Sequence, residues 1–215
     1  MNAPLAQAGR IPLALGVVES ADPAILAGIR QPGVAAAIWR RPRDPGFAAW
    51  IDALPPERLP RLSTLTTPEL VERVVHAACD SAGTPAGLHR DRLASDAAAL
   101  ALILSQVAAQ PLIEIRLEVV DTDKCRKFHI DRVRCRMLCT YRGAGTQYGA
   151  AAPGPDHAPA VVQQLSAADA ALFRGAFWPG AEFPGVLHRS PPLAGTGETR
   201  LLLVVDPMDD VDGHC

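Results

Sequence analysis

The spacing of apolar side chains changes at Pro111 of this 215-residue chain, and that change limits the folds open to it. Before it, Leu70, Val71, Val74, Val75 and Ala78 recur three or four apart, the signature of one helical face. After it, Ile113, Ile115, Leu117 and Val119 alternate with Glu114, Arg116 and Glu118, the signature of a half-buried strand. An α+β fold in a single domain follows, mainly helical over residues 1–110 and stranded over 111–206, with an Asp-rich tail at 207–215.

Punctuating residues place the elements. Pro45-Gly46 opens and Pro55-Pro56 closes a short helix over Phe47–Leu54. Thr67, Pro68 and Glu69 combine a hydroxyl cap, a first-turn proline and an acid facing the helix dipole, and so open a second. A third runs from about Arg92 to Ala109, and its Ala/Leu/Ile density predicts burial on several sides. Strands are expected at Arg134–Tyr141, Gly185–His188 and Arg200–Asp206; the last is nearly all Leu and Val, hence covered on both faces. Ala150–Pro159 reads as a loop, and Ser166–Gly175 as a short helix with Ser166 and Asp169 in capping-box spacing.

Chemistry concentrates in Lys124–Arg142, KCRKFHIDRVRCRMLCTYR. If one strand runs through it, His129, Asp131, Cys135, Cys139 and Tyr141 share a face and Arg132, Arg134 and Arg136 share the other. An imidazole and a carboxylate two apart on a strand project together and can share one metal. A second imidazole completes a facial triad of two His and one carboxylate, the mark of non-haem Fe(II) oxygenases. His188, ending the Gly185–His188 strand, is the candidate. Arg200 follows twelve residues later, and a guanidinium there can pair bidentately with a ligand carboxylate.

His129-x-Asp131, a strand ending at Tyr141, and then His188 and Arg200 resemble the motif set of Fe(II)/2-oxoglutarate dioxygenases over roughly residues 111–206. That resemblance implies a double-stranded β-helix (jelly-roll) core with the N-terminal helices packed on it. It implies His129, Asp131 and His188 as iron ligands, and Arg200 as the anchor for the distal carboxylate of 2-oxoglutarate. Tyr141 or Tyr148 is a further candidate for that anchor. One departure stands out: many members carry a hydroxyl residue two after the Arg, where this chain has Leu202. The whole chain also resembles the bacterial family of unknown function numbered 1826, through VAAAIWRRPR at Val34–Arg43, FHIDRVRCRMLCTYRG and VLHRSPP.

A rival reading is a non-catalytic zinc or metal-homeostasis protein using Cys125, His129, Cys135 and Cys139, an N/S set that Zn²⁺ favours. Against it, residues four apart on a strand lie ~13 Å apart, and the segment has no Gly or Pro to form a knuckle. Cys135 and Cys139 therefore read better as small core residues. The Arg row could track a phosphate backbone, but a formal net charge of −2 excludes a chain that coats nucleic acid. Five cysteines, odd and sparse, point to a reducing compartment. With no signal peptide evident and the longest apolar run, Ala97–Leu104, too short to span a bilayer, a soluble cytoplasmic protein without membrane or nucleic-acid partners is expected. His76, His89 and His157 have no partner at ligand spacing, and His214 and Cys215 fall in a tail expected to fray.

Overall fold

The computed structural model describes residues 11–123, 125–152 and 157–208. Lys124, part of the Ala150–Pro159 loop, and the tail with His214 and Cys215 lie outside the described residues. In chain order the elements are β1 (Leu13–Ala14), β2 (Gly16–Ser20), β3 (Val34–Trp39), α1 (Pro45–Ala53), β4 (Leu62–Thr66), α2 (Val71–Ala82) and α3 (Leu88–Ala108). There follow β5 (Ile113–Val120), β6 (Cys135–Arg142), β7 (Gln147–Ala150), β8 (Gln163–Gln164), β9 (Ala170–Arg174), β10 (Phe183–Pro184), β11 (Val186–Arg189) and β12 (Arg200–Pro207).

Helix α1 begins where the Asp44 carboxylate accepts from the Phe47 amide at 2.7 Å, with Pro45 in the first turn, and it ends before Pro55. A 3₁₀ turn at Pro68–Leu70 leads into α2; Thr67 occupies the cap position of that turn, but its hydroxyl makes no capping bond. Gly83, left-handed at φ 66°, closes α2. Helix α3 starts at Leu88, before the expected Arg92. It buries one face, including Leu93, Ala97, Leu100 and Leu104, while Leu102 stays exposed, so burial on several sides is corrected to an amphipathic helix.

Seven strands form the large sheet in the order β2-β3-β9-β6-β12-β5-β4, antiparallel throughout except for the parallel β2–β3 pair. A small antiparallel sheet has the order β11-β7-β8, and β1 pairs in parallel with β10. The first half of the chain carries α1–α3 and also supplies β1–β4, which its sequence does not announce. One expectation is corrected here: the segment 166–175 is not a helix, for it contributes β9, buried along its whole length between β3 and β6. Strand β12 is buried at every position, as its Leu/Val run predicts.

Two apolar clusters hold these layers together. One joins Leu93, Leu100 and Leu104 of α3 to Met137, Cys139 and Leu203 on one face of the large sheet. The other joins Ile38, Leu138, Phe173 and Val204 on the opposite face to Tyr148 and Val186 of the small sheet. Each such Leu, Val or Phe buried away from water contributes about 1.5–3 kcal/mol. Among the described residues no helix is long and apolar enough to cross a membrane.

Candidate metal centre

Strand β6 begins at Cys135, and the chain bends through Arg132–Arg134 before it. The bend breaks the alternation on which a continuous strand from His129 depends. Past it, Met137, Cys139 and Tyr141 pack toward the helices, whereas Leu138 packs toward the small sheet. Asp131 nonetheless reaches the latter side, where its Oδ1 accepts from Arg136 Nη1 at 2.5 Å. The expected common face of His129, Asp131, Cys135, Cys139 and Tyr141 is therefore not formed.

Backbone bonds fix the approach. His129 and His188 exchange reciprocal N–H···O bonds of 3.1 Å, a single antiparallel bridge next to β11. The Asp131 carbonyl accepts from the Ala176 amide at 2.8 Å, and the Arg134 carbonyl from Gly175 at 2.9 Å. A Cβ on Gly175 would stand 2.0 Å from the Val133 carbonyl oxygen, so only glycine admits this approach.

The result is that one ligand atom from each of His129, Asp131 and His188 lies within 4.8 Å of the others, the one such cluster found among the described residues. His129 Nε2 is 3.5 Å from Asp131 Oδ1, and His188 Nε2 is 2.9 Å from Asp131 Oδ2. His129 Nδ1 lies 2.8 Å from the Lys127 carbonyl, which places the proton on Nδ1 and turns Nε2 inward. His188 is buried, its ring 4.8 Å from those of both His129 and Phe173. Burial pushes its pKa down and favours neutral imidazole. Contact with Asp131 raises His129. Burial alone would raise the Asp131 carboxyl, but the two imidazoles and Arg136 hold it far below the usual carboxylate range. Despite the short contact to His188, buried Asp131 Oδ2 has no hydrogen-bond partner among the described residues. An ionised, buried oxygen without a donor, facing two imidazoles, fits a divalent cation.

Arg200 is the largest fully buried side chain among the described residues. Its Nη1 donates to Ser190 Oγ at 3.2 Å, and its Nη2 to Thr140 Oγ1 at 3.1 Å and Thr146 Oγ1 at 3.5 Å; its buried Nε has no hydrogen-bond partner. Among the described residues no carboxylate forms an ion pair with it. Burial pulls the guanidinium down to about 10, opposed by the charge of Glu118, and it stays cationic at neutral pH. Ser190 follows His188 by two residues, roughly 7 Å along extended chain.

The other predicted residues lie elsewhere. Tyr141 is turned toward the helices, its hydroxyl donating to Asp96 Oδ2 at 2.8 Å, which corrects its candidacy as a carboxylate anchor. Tyr148 pairs with His188 in the β7–β11 register, and its hydroxyl accepts from Arg40 at 3.2 Å. Nor does the Cys125, His129, Cys135, Cys139 set assemble. Cys125 is exposed, while Cys135 and Cys139 are buried in the helix-side cluster. Arg41 donates to Cys139 Sγ at 3.1 Å, yet burial pushes that thiol up to about 12, too high for an available thiolate. Sequence reasoning missed Arg136, Thr140, Thr146 and Ser190; the signal was three hydroxyls in the segments flanking the motif residues.

Sheets on either side of a core, helices behind one of them, and a His-Asp-His cluster together define a mixed α/β protein with a candidate metal centre. By its sequence the chain belongs to the family described as "Protein of unknown function (DUF1826)", whose model matches residues 20–206. No curated protein matches it. Among solved structures it is similar to a dioxygenase for auxin oxidation from Arabidopsis thaliana, in a complex with 2-oxoglutarate, at 13% identity and TM-score 0.42, covering 71% of this chain and 63% of that one. The chain thus spans less than two thirds of that protein's length. It is also similar to the rice dioxygenase for auxin oxidation, at 12% identity and TM-score 0.48, covering 94% and 84% of the two chains. A Pseudomonas putida prolyl-4-hydroxylase matches at 16% identity and TM-score 0.37, covering 79% and 96%. These likenesses are loose, and the geometry of the site stands without them.

Proposed function

We propose that this protein is a mononuclear non-haem Fe(II)/2-oxoglutarate-dependent oxygenase that carries out a hydroxylase-type oxidation, and that its facing sheets are the two halves of a double-stranded β-helix. The observation that carries this reading is Arg200: a buried guanidinium with hydroxyl partners and, among the described residues, no acid, one of those hydroxyls being Ser190, two residues after His188 of the His-Asp-His cluster. A buried, unpaired charge is expensive to maintain, and a site that awaits an anionic co-substrate explains its retention. His129, Asp131 and His188 would hold Fe(II), occupying one side of the ion and leaving positions open. When bound, iron and 2-oxoglutarate supply oxidising power from O₂, with 2-oxoglutarate oxidatively decarboxylated to succinate and CO₂ as a substrate C–H becomes C–OH.

This chain's residues position and exclude. Arg200 would pair with the distal carboxylate of 2-oxoglutarate, while Ser190 on Nη1 and Thr140 and Thr146 on Nη2 hold the guanidinium in place. Phe173 packs against His188 and keeps water from that imidazole. Zinc held by Cys135 and Cys139 has no geometric support. The test is anaerobic addition of Fe(II) and 2-oxoglutarate, read by visible absorption. A metal-to-ligand charge-transfer band is expected, lost in His129→Ala and in His188→Ala. Absence of the band in the wild type, or its survival in both variants, overturns the reading.

A further inference from the structure

Arg136 belongs to the row of arginines that alternation predicts on a face away from the ligands, yet it is the residue that touches Asp131. Its donors are divided between two acids. Nη1 donates to Asp131 Oδ1 at 2.5 Å, while Nε and Nη2 form a fork with Asp206, 2.7 Å to Oδ1 and 2.8 Å to Oδ2. Asp206 is buried and is also held by Arg116 Nη2 at 2.9 Å; Arg116 in turn bonds Glu114 and Glu118. The acids and bases thus alternate from β5 through β12 to β6 and end on one oxygen of the candidate ligand. The other oxygen, Oδ2, is the one left buried without a donor.

We propose that Arg136 is a positioning residue that presents Asp131 to the metal through Oδ2 alone, with Asp206 locking the guanidinium in place. This rests on the reading of His129, Asp131 and His188 as a metal site. A carboxylate free to rotate can chelate through both oxygens and consume a second coordination position. A carboxylate with Oδ1 clamped cannot, so the open positions that a bidentate co-substrate and O₂ require are preserved. Lysine cannot take over: a single ammonium cannot reproduce a planar fork on Asp206 together with a third bond to Asp131.

The test titrates full-length wild type and folded variants with Co(II) alone, reading affinity by calorimetry and coordination by visible ligand-field bands. Removing an outer partner of a metal ligand lowers affinity about 10–100-fold. That loss, with altered bands, is expected in Arg136→Gln and Asp206→Asn, and Arg136→Lys should not restore the wild-type spectrum. Arg132→Gln removes the same charge next to Asp131, but Arg132 sits 5.9 Å over the Phe177 ring, so wild-type binding is expected there. Circular dichroism verifies folding, and Asp206→Asn carries the test should Arg136→Gln not fold. Wild-type affinity and bands in folded Arg136→Gln or Asp206→Asn overturn the proposal while leaving the metal site standing. No Co(II) uptake by wild type, or undiminished uptake by His188→Ala, overturns the metal site and this proposal together.

Discussion

Arg200 sets function against stability within one side chain. Its guanidinium is out of water and, among the described residues, is held by hydroxyls with no carboxylate partner. Buried ionic groups replaced by well-packed apolar ones often leave a protein as stable or more stable, by about 1–4 kcal/mol. Arg200→Met is therefore expected to match or exceed wild-type stability in urea denaturation. It should also require at least ~30-fold more 2-oxoglutarate to develop the anaerobic Fe(II) band, since losing one partner of a buried charge pair costs about 2–5 kcal/mol. A variant that is strongly destabilised and keeps wild-type co-substrate affinity would show that Arg200 serves the core instead. Gly175 has the opposite character, giving shape rather than charge. Alanine there puts its Cβ 2.0 Å from the Val133 carbonyl, in the segment that carries Asp131. Gly175→Ala is expected to cost about 1–3 kcal/mol and to weaken Co(II) binding, because the displaced backbone is that of the ligand. Equal Co(II) affinity in a folded Gly175→Ala protein would show that the bend can move without moving the carboxylate.

At the scale of elements, β9 shows how local sequence and tertiary context diverge. Ser166 and Asp169 do have a capping-type contact, the Ser166 amide donating to Asp169 Oδ2 at 2.9 Å, and the Ala-Ala-Leu run after it favours a helix. The contact closes a turn, however, and the next five residues enter the sheet between β3 and β6, where small side chains fit because both faces are covered. Ala171, packed with Ile38, Leu138 and Phe173, supplies the test. Ala171→Leu should cost about 1–3 kcal/mol by overpacking, measured by thermal or urea denaturation; on an exposed helix the same change would be nearly neutral. The strands β5 and β12 were legible because the alternation of one and the continuous Leu/Val run of the other each imply a distinct environment. Strand β3 was not, since the Ala-rich Val34–Trp39 has neither alternation nor helical spacing. His129, Asp131 and His188 could be picked out by spacing, and Arg200 by its offset from His188. Arg136 could not, because three bent residues after Asp131 reverse which parity faces the site, and no periodicity records a bend.

Across the whole molecule the three candidate ligands are anchored from different sides. Asp131 is tied to the large sheet, through Arg136 of β6, Asp206 of β12 and the amides that follow β9. His188 belongs to β11 of the small sheet, and His129 is attached to it by two backbone bonds. A metal ion shared by all three would cross-link the sheets at the point where the described structure brings His188 Nε2 within 2.9 Å of Asp131 Oδ2. Binding to the native state alone stabilises by RT ln(1 + [L]/Kd), about 2.7 kcal/mol at a hundredfold excess over Kd. Co(II) at that excess should therefore raise the denaturation midpoint, EDTA should reverse the rise, and His188→Ala should show none. Uniform stabilisation would slow exchange at every amide that opens only by global unfolding. A cross-link predicts more, because the reciprocal amides of His129 and His188 form an isolated bridge beside β11 and can open locally. Their hydrogen exchange should slow on Co(II) addition by more than that of amides in the interior of β12, which is paired on both sides along its length. If the His129 and His188 amides slow no more than those of β12, the ion does not bridge the sheets, and the three ligand side chains converge without sharing it.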